Sequence, residues 1–237
     1  MKIIEITNIS KSNTKESWNI TDDQDAIIYG TLLGDAHIQK RGDSYRLKIA
    51  HSPIQKSYIN WKHTKLASLC QTTQGVTKRV SKKNEIVFEF YTQSNFDLKK
   101  YHDLFYQKQE KIVNGKQITV YKKTITPELI ASLPKNNYTL ASFYLDDGSA
   151  RTACYSGRFA TQGFSKNECH LLQNYLFDTW DLKTSVVLHS REKAQYSLFI
   201  PAKVFPKFIE IIEKPIREIP DMQYKLNEKN KNKSLFL

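Results

Sequence analysis

The chain has 237 residues, 40% of them hydrophobic and only 8 Gly and 7 Pro, a globular composition that argues against disorder except at the ends and leaves room for one large domain or two small ones. With 36 Lys and Arg against 24 Asp and Glu, the formal charge is +12 and the pI about 9.4, a balance that disfavours basic partners and favours polyanions, nucleic acid first. Cys70, Cys154 and Cys169 are odd in number, form no C-x-x-C pair and have no His at zinc-finger spacing, which argues against a disulfide framework or a structural zinc. Met1-Lys2-Ile3-Ile4-Glu5 meets a charge before any signal-like apolar run, and no 18-residue apolar stretch follows, so a soluble, non-secreted, non-membrane protein in a reducing compartment is expected.

In chain order, the first strong element is an apolar helical run, Ala26-Ile27-Ile28-Tyr29-Gly30-Thr31-Leu32-Leu33-Gly34, ended by Asp35. Two strands follow. In Tyr45-Arg46-Leu47-Lys48-Ile49 the odd positions are apolar and the even ones basic, so Arg46 and Lys48 are expected to face away from the core, with His37, Gln39 and Arg41 on the polar side of the neighbouring strand. After Ala50-His51, the stretch Ser52-Pro53-Ile54-Gln55 reads as a capping box opening a helix that runs to about Leu69. Strands at 76–80 and 86–91 then flank Lys82-Lys83-Asn84, and a last helix closes the unit.

Beyond a junction near residues 107–137 the same order returns. Leu140-Ala141-Ser142-Phe143-Tyr144-Leu145-Asp146 is followed by Asp147, by strand-like residues, and by Thr161-Gln162-Gly163-Phe164. His51 lies 16 positions after its Asp and Gln162 lies 15 after its own. Ser165-Lys166-Asn167-Glu168 reads as a second capping box, its helix running to about Trp180, and strands at 185–189 and 196–200 flank Arg191-Glu192-Lys193. The expected fold is α+β: a tandem duplication of an αββαββα unit, with an N-terminal half at 1–125 and a C-terminal half at 126–237. The junction is not Gly- or Ser-rich, so the halves are expected to pack on one another. Strand faces rich in Arg, Lys, Gln and His suit phosphates and base edges in a major groove. On that ground Lys78 and Lys82 in the first copy, and Arg151, Arg158, His189, Arg191 and Gln195 in the second, join the candidate DNA-facing set.

Both copies place an Asp at the end of an apolar helix, where the helix dipole disfavours an anion. If the halves pair along these helices, Asp35 and Asp147 converge, and two converging carboxylates repel unless a cation bridges them. A hard divalent ion such as Mg²⁺ suits oxygen ligands of this kind. Gly30 and Gly34 on the first helix, and Ala141 and Ser142 on the second, remove bulk where two backbones could approach.

The runs Ile28-Tyr29-Gly30-Thr31-Leu32-Leu33-Gly34-Asp35-Ala36 and Leu140-Ala141-Ser142-Phe143-Tyr144-Leu145-Asp146-Asp147-Gly148 resemble the two motifs of single-chain LAGLIDADG homing endonucleases, and the resemblance covers roughly residues 20–226. It implies two pseudo-twofold-related halves, saddle-shaped antiparallel sheets packed through the two motif helices, and a monomer that cuts both strands of a long, asymmetric DNA target. It also implies metal held at Asp35 and Asp147 with their neighbours Gly34 and Asp146. Lys123 and Lys225 match the family's electrophilic or water-activating lysines, and His51 and Gln162 the positions that organise active-site water. The sixth motif position holds Leu33 and Leu145 instead of an acid, and Thr31 stands where an apolar residue is usual, departures that concern the helix interface. Mg²⁺ is the expected cofactor, with Mn²⁺ able to substitute and Ca²⁺ supporting binding without cleavage. The other roles compatible with the fold are an intron RNA maturase and a catalytically inactive DNA-binding regulator. An organelle intron is the expected origin, with a cytoplasmic or nucleoid location otherwise.

Overall fold

Thr21 opens the first helix of the described chain by accepting from the Gln24 amide, while the Gln24 side chain returns to the Thr21 N–H. The computed structural model describes residues 17–231 except 72, 74, 82 and 83. Helix α1 (Asp22–Leu33) has three aspartates in its first turn, where the dipole favours them, and from Ala26 onward it is almost wholly buried. It is followed by β1 (His37–Arg41), β2 (Ser44–His51), α2 (Lys56–Lys65), β3 (Thr77–Val80), β4 (Ile86–Tyr91) and α3 (Lys99–Phe105). A two-stranded ribbon, β5 (Tyr106–Val113) and β6 (Lys116–Lys123), and a short helix α4 (Pro127–Ser132) lead into the second copy. That copy comprises α5 (Asn137–Asp147), β7 (Gly148–Ala150), β8 (Gly157–Phe159), α6 (Lys166–Trp180), β9 (Ser185–Ser190), β10 (Gln195–Ile200) and α7 (Phe205–Arg217).

The αββαββα order therefore occurs twice in an α+β fold. Each half carries a four-stranded antiparallel sheet of like topology, β1-β2-β4-β3 and β7-β8-β10-β9. Helices α1 and α5 pack directly on each other between the halves. The approach is as close as backbones allow: a Cβ on Gly30 would lie 2.3 Å from the Thr139 carbonyl oxygen, and one on Gly34 would lie 2.4 Å from the Asp146 Cβ.

Two local expectations need correction. Ser165 and Glu168 do form a capping box, but Ser52 makes no cap bond; residues 53–55 form a 3-10 turn before α2. Pro53 has no N–H, and the Ser52 hydroxyl instead contacts the Gln55 side chain at 3.4 Å. The junction, to which no element was assigned, contains the ribbon. Asn114 and Gly115, at φ of 49° and 73°, form its turn, the Asn-Gly pairing that two-residue hairpin loops favour. Among the described residues, no helix is long and apolar enough to cross a membrane.

Candidate active site and nucleic-acid face

Asp35 follows the end of α1 and Asp147 ends α5, so the packing of these helices sets both carboxylates at one end of the interface. Burial and then the negative charges of Asp35 and Asp146 push the Asp147 carboxyl up to about 7. Asp35 is raised as well, by burial and then by Asp146, although 47% of its side-chain surface is exposed. Both acids thus hold protons more tightly than usual, the condition a bridging cation relieves.

Lys123, at the end of β6, and Lys225, in a 3-10 turn, each cap one of the two helix ends, though on different carbonyls. Lys123 Nζ donates to the carbonyls of Gly34 (2.8 Å) and Ala36 (3.0 Å), and Lys225 Nζ to those of Tyr144 (3.1 Å) and Leu145. Each ammonium sits where the helix C-terminus attracts a cation. Burial lowers both to about 8 against the opposing pull of the nearby aspartates, so each is charged yet able to release a proton near neutrality.

Asp146 behaves differently from its neighbour. Its side chain is fully buried: Oδ1 accepts from Tyr58 Oη and Lys62 Nζ, each at 2.7 Å, and Oδ2 from Thr31 Oγ1 at 2.9 Å and the Asp35 amide at 3.3 Å. Burial opposes its charge, but the Lys62 ammonium and the other donors hold the carboxyl below its usual range. Lys62 is itself fully buried, with its pKa lowered by burial, and it also contacts Thr31 Oγ1. Asp146 belonged to the metal set implied by the resemblance, yet its carboxylate is taken up by an ion pair that joins α2 of one half to α5 of the other. Three ligand atoms from Asp35, His51 and Asp146 do lie within 4.8 Å of one another. Asp35 is the one of the three whose carboxylate is partly exposed.

His51 ends β2 and packs against Tyr58, the ring centroids 4.8 Å apart and the planes tilted by 38°. Lys62 Nζ lies 3.1 Å from Nε2, and an ammonium can only donate, which assigns the ring proton to Nδ1. Nδ1 lies 3.8 Å from Asp35 Oδ2. Burial, followed by the Lys62 charge, lowers His51 to about 3, so it is neutral. Gln162 is half-buried in the turn after β8, and no hydrogen bond from it to either aspartate is found among the described residues. Neither Lys62 nor Tyr58 stands out in the sequence. Their only signal was Thr31 inside an otherwise apolar motif, a hydroxyl that required a buried partner.

The polar face of the first sheet has the expected phase. His37 pairs with Lys48, Gln39 with Arg46 and Arg41 with Ser44, all opposite the core face carried by Ile38, Leu47 and Ile49. Arg46 Nε donates to Gln39 Oε1 at 2.9 Å while its guanidinium lies 4.0 Å from the Tyr91 ring centroid. One acid joins this face: Glu89 receives Lys48 at 3.1 Å and Arg79 at 2.9 Å. Lys78 is a correction, because it pairs with Phe88, which shares a face with His51, and the polar face at this point belongs to Arg79. Lys82 lies outside the described residues. In the second sheet Arg158 pairs with Ser149 and with Phe199, and a recess of about 530 Å³ is lined by Arg151, Arg158 and His189 among others. Gln195 sits at a bulge in β10, opposite Ser190, and Arg191 is exposed in the turn between β9 and β10.

Comparison with known proteins agrees with this geometry. Residues 25–208 match the model of the LAGLIDADG DNA endonuclease family. The DNA endonuclease I-ChuI of Chlamydomonas applanata is 28% identical over 228 residues, covering 90% of this chain and 98% of the relative. The cytochrome b mRNA maturase bI2 of Saccharomyces cerevisiae is 28% identical over 214 residues, covering 85% of this chain; the match spans 46% of the maturase. The solved structure of homing endonuclease I-WcaI bound to its DNA recognition sequence matches with a TM-score of 0.70 at 24% identity, over 89% of this chain and 88% of that one. The structure of I-DmoI in complex with DNA and Mn matches at 0.50 and 14% identity, over 79% and 94%, and so shares the fold. With the family model matching most of the chain and both motif aspartates at the paired helix ends, the chain belongs to the LAGLIDADG DNA endonuclease family.

Proposed function

We propose that the protein is a monomeric, site-specific endonuclease that hydrolyses both strands of a long, asymmetric DNA duplex with a divalent metal. The observation that carries this is the pair of aspartates at the apposed ends of α1 and α5, each end held by a lysine, Lys225 buried and Lys123 half-buried. Asp35 and Asp147 would hold the cation, their raised proton affinity marking excess negative charge at the site. Gly34 and Asp146 would act through the backbone geometry of the helix ends, Gly34 by its carbonyl bond to Lys123 and Asp146 by its tie to Lys62. A bound Mg²⁺ or Mn²⁺ would supply charge compensation at the scissile phosphate and polarise the attacking water. Lys123 and Lys225 would neutralise charge building on phosphate and departing oxygen, and a pKa of about 8 suits each to give that oxygen a proton. Neutral His51, its orientation set by Lys62 and Tyr58, would order water beside Asp35, with Gln162 as the weaker counterpart in the second half. A cleavage assay with Mg²⁺ on the host's intronless locus tests the proposal, and an intact duplex under conditions of full binding would overturn it.

A maturase role for intron RNA is the second reading, supported by the similarity to the yeast cytochrome b mRNA maturase. That similarity also supports an organelle intron as the origin. The decayed regulator receives less support, because both aspartates are present and a lysine caps each helix end beside them.

Two expected outcomes follow from the site and the first sheet. Mg²⁺ or Ca²⁺ should raise the melting temperature of the wild-type protein and leave that of an Asp35→Asn/Asp147→Asn variant unmoved; an equal rise in both would place the ion elsewhere. Binding to the duplex should weaken steeply with salt, as Lys and Arg displace counterions. Arg46→Ala should cost about 1–3 kcal/mol of affinity for the preferred target if the guanidinium reads a base edge. A filter-binding or fluorescence titration across salt concentrations measures both, and a flat salt response would remove the sheet faces from the DNA interface.

A further inference from the structure

The β5–β6 ribbon is an addition to the duplicated unit. Its place after α3 has no match in the second half, where α7 leads into a 3-10 turn at 220–226 that delivers Lys225. Eight consecutive antiparallel pairs, from Tyr106–Lys123 to Val113–Lys116, make a ribbon about 26 Å long at the usual rise per residue. A free two-stranded ribbon is marginal in water, yet this one leaves Ile112, Val113 and Ile118 exposed.

Its register sorts its side chains onto two faces. One face carries Tyr106, Lys123 and Tyr121 at the base. These hold it to the body: Tyr106 Oη accepts from the Ile38 amide at 3.1 Å, His102 stacks on Tyr106 and meets Tyr121 edge-on, and Lys123 bonds the end of α1. Further out on that face stands the ribbon's only acid, Glu110, bonded to Lys108 at 3.1 Å and to Thr119. The opposite face has no acid. It presents exposed Lys111, Lys116 and Lys122 and the amides Gln107 and Gln109, interleaved with the apolar Val113, Ile118 and Val120. The base is tied to the active-site end of α1 and to β1, so the ribbon's attachment is continuous with the proposed DNA surface.

We propose that this acid-free face is a third DNA-contacting surface, which grips phosphates of the duplex on one side of the cut and so gives the protein an asymmetric footprint. Charge complementarity selects the occupant, since three lysines and two amide side chains on a twisted two-stranded ribbon match phosphates and groove edges. The proposal rests on the endonuclease reading above.

The test uses the full chain and a Lys111→Ser/Lys116→Ser/Lys122→Ser variant, whose changes are all exposed and leave the anchoring face intact. Hydroxyl-radical footprinting of the cognate duplex should lose one patch of protected sugars on a single flank, with the remaining protection preserved. The slope of log affinity against log salt should become shallower by about 2–3, one released counterion per phosphate contact. An unchanged footprint and slope would overturn the proposal, as would unchanged DNA binding accompanied by loss of intron RNA binding. If wild-type protein protected no duplex at all, the endonuclease reading itself would fail, and the comparison with the variant would show this separately.

Discussion

Replacing Asp35 or Asp147 by asparagine is expected to abolish double-strand cleavage while the chain still folds and still binds its target. Asparagine keeps the size of the side chain and removes the charge that holds a cation. The loss should reach at least about 10³-fold, more than is usual for removing one transition-state hydrogen bond. Because both carboxylates serve one composite centre, the double variant should be little worse than either single one. Stability should hold or rise without metal, since burial and mutual repulsion already push the Asp147 carboxyl up to about 7. A cleavage assay, a binding titration and a melting curve on each variant decide the matter. Near-normal cutting by either variant would remove that residue from the chemistry, and unfolding of both would make the aspartates structural.

The second large effect lies at Lys62. Lys62→Met leaves Asp146 buried beside Tyr58 and Thr31 with no cation bonded to it. Breaking a buried pair in this way typically costs about 3–5 kcal/mol. For a chain of this size that corresponds to a fall in melting temperature on the order of 6–20 °C. Asp146→Asn added to Lys62→Met should recover much of the loss, because the asparagine oxygen still accepts from Tyr58, its NH2 can donate to the Thr31 hydroxyl that Lys62 has vacated, and no charge is stranded. The double-mutant cycle measures the coupling directly. A Lys62→Met variant that melts within about a degree of wild type would show that the pair contributes little.

Much of this architecture was legible because duplication constrains what local propensity leaves open. Two apolar helices that run into an Asp, each followed by the same order of strands and helix, located the interface and both acids. Strand alternation gave the phase of Arg46 and Lys48 correctly, since Leu47 and Ile49 had to be buried. The same logic failed at Lys78, where β3 is a short edge strand with no buried residue to set its register. Ser52 has the residues of a capping box, but Pro53 makes the entry a 3-10 turn. The ribbon was overlooked because its strands lack a core-facing alternation, even though Asn114-Gly115 is a strong hairpin signal. Lys62 left only an indirect trace, the Thr31 hydroxyl inside the first motif. A lone lysine on a helix is read as solvated, and only the fold brings it to Asp146, 84 residues further along the chain.

The interlock of Gly34, Asp146 and Lys62 makes the two halves non-interchangeable. Gly34 and Asp146 hold the same motif position, and the absence of a Cβ on the first makes room for the second. A protein assembled from two copies of the first half would bury two Lys62 ammonium groups with a glycine opposite each and no carboxylate to meet them. One assembled from two second halves would press Asp146 against Asp146, where a single added carbon atom already lies too close. Ancestral self-pairing is therefore closed to this chain. Each half has become an obligate heterologous partner of the other, and any exchange of halves with a relative must carry the glycine, the aspartate and the lysine as one unit.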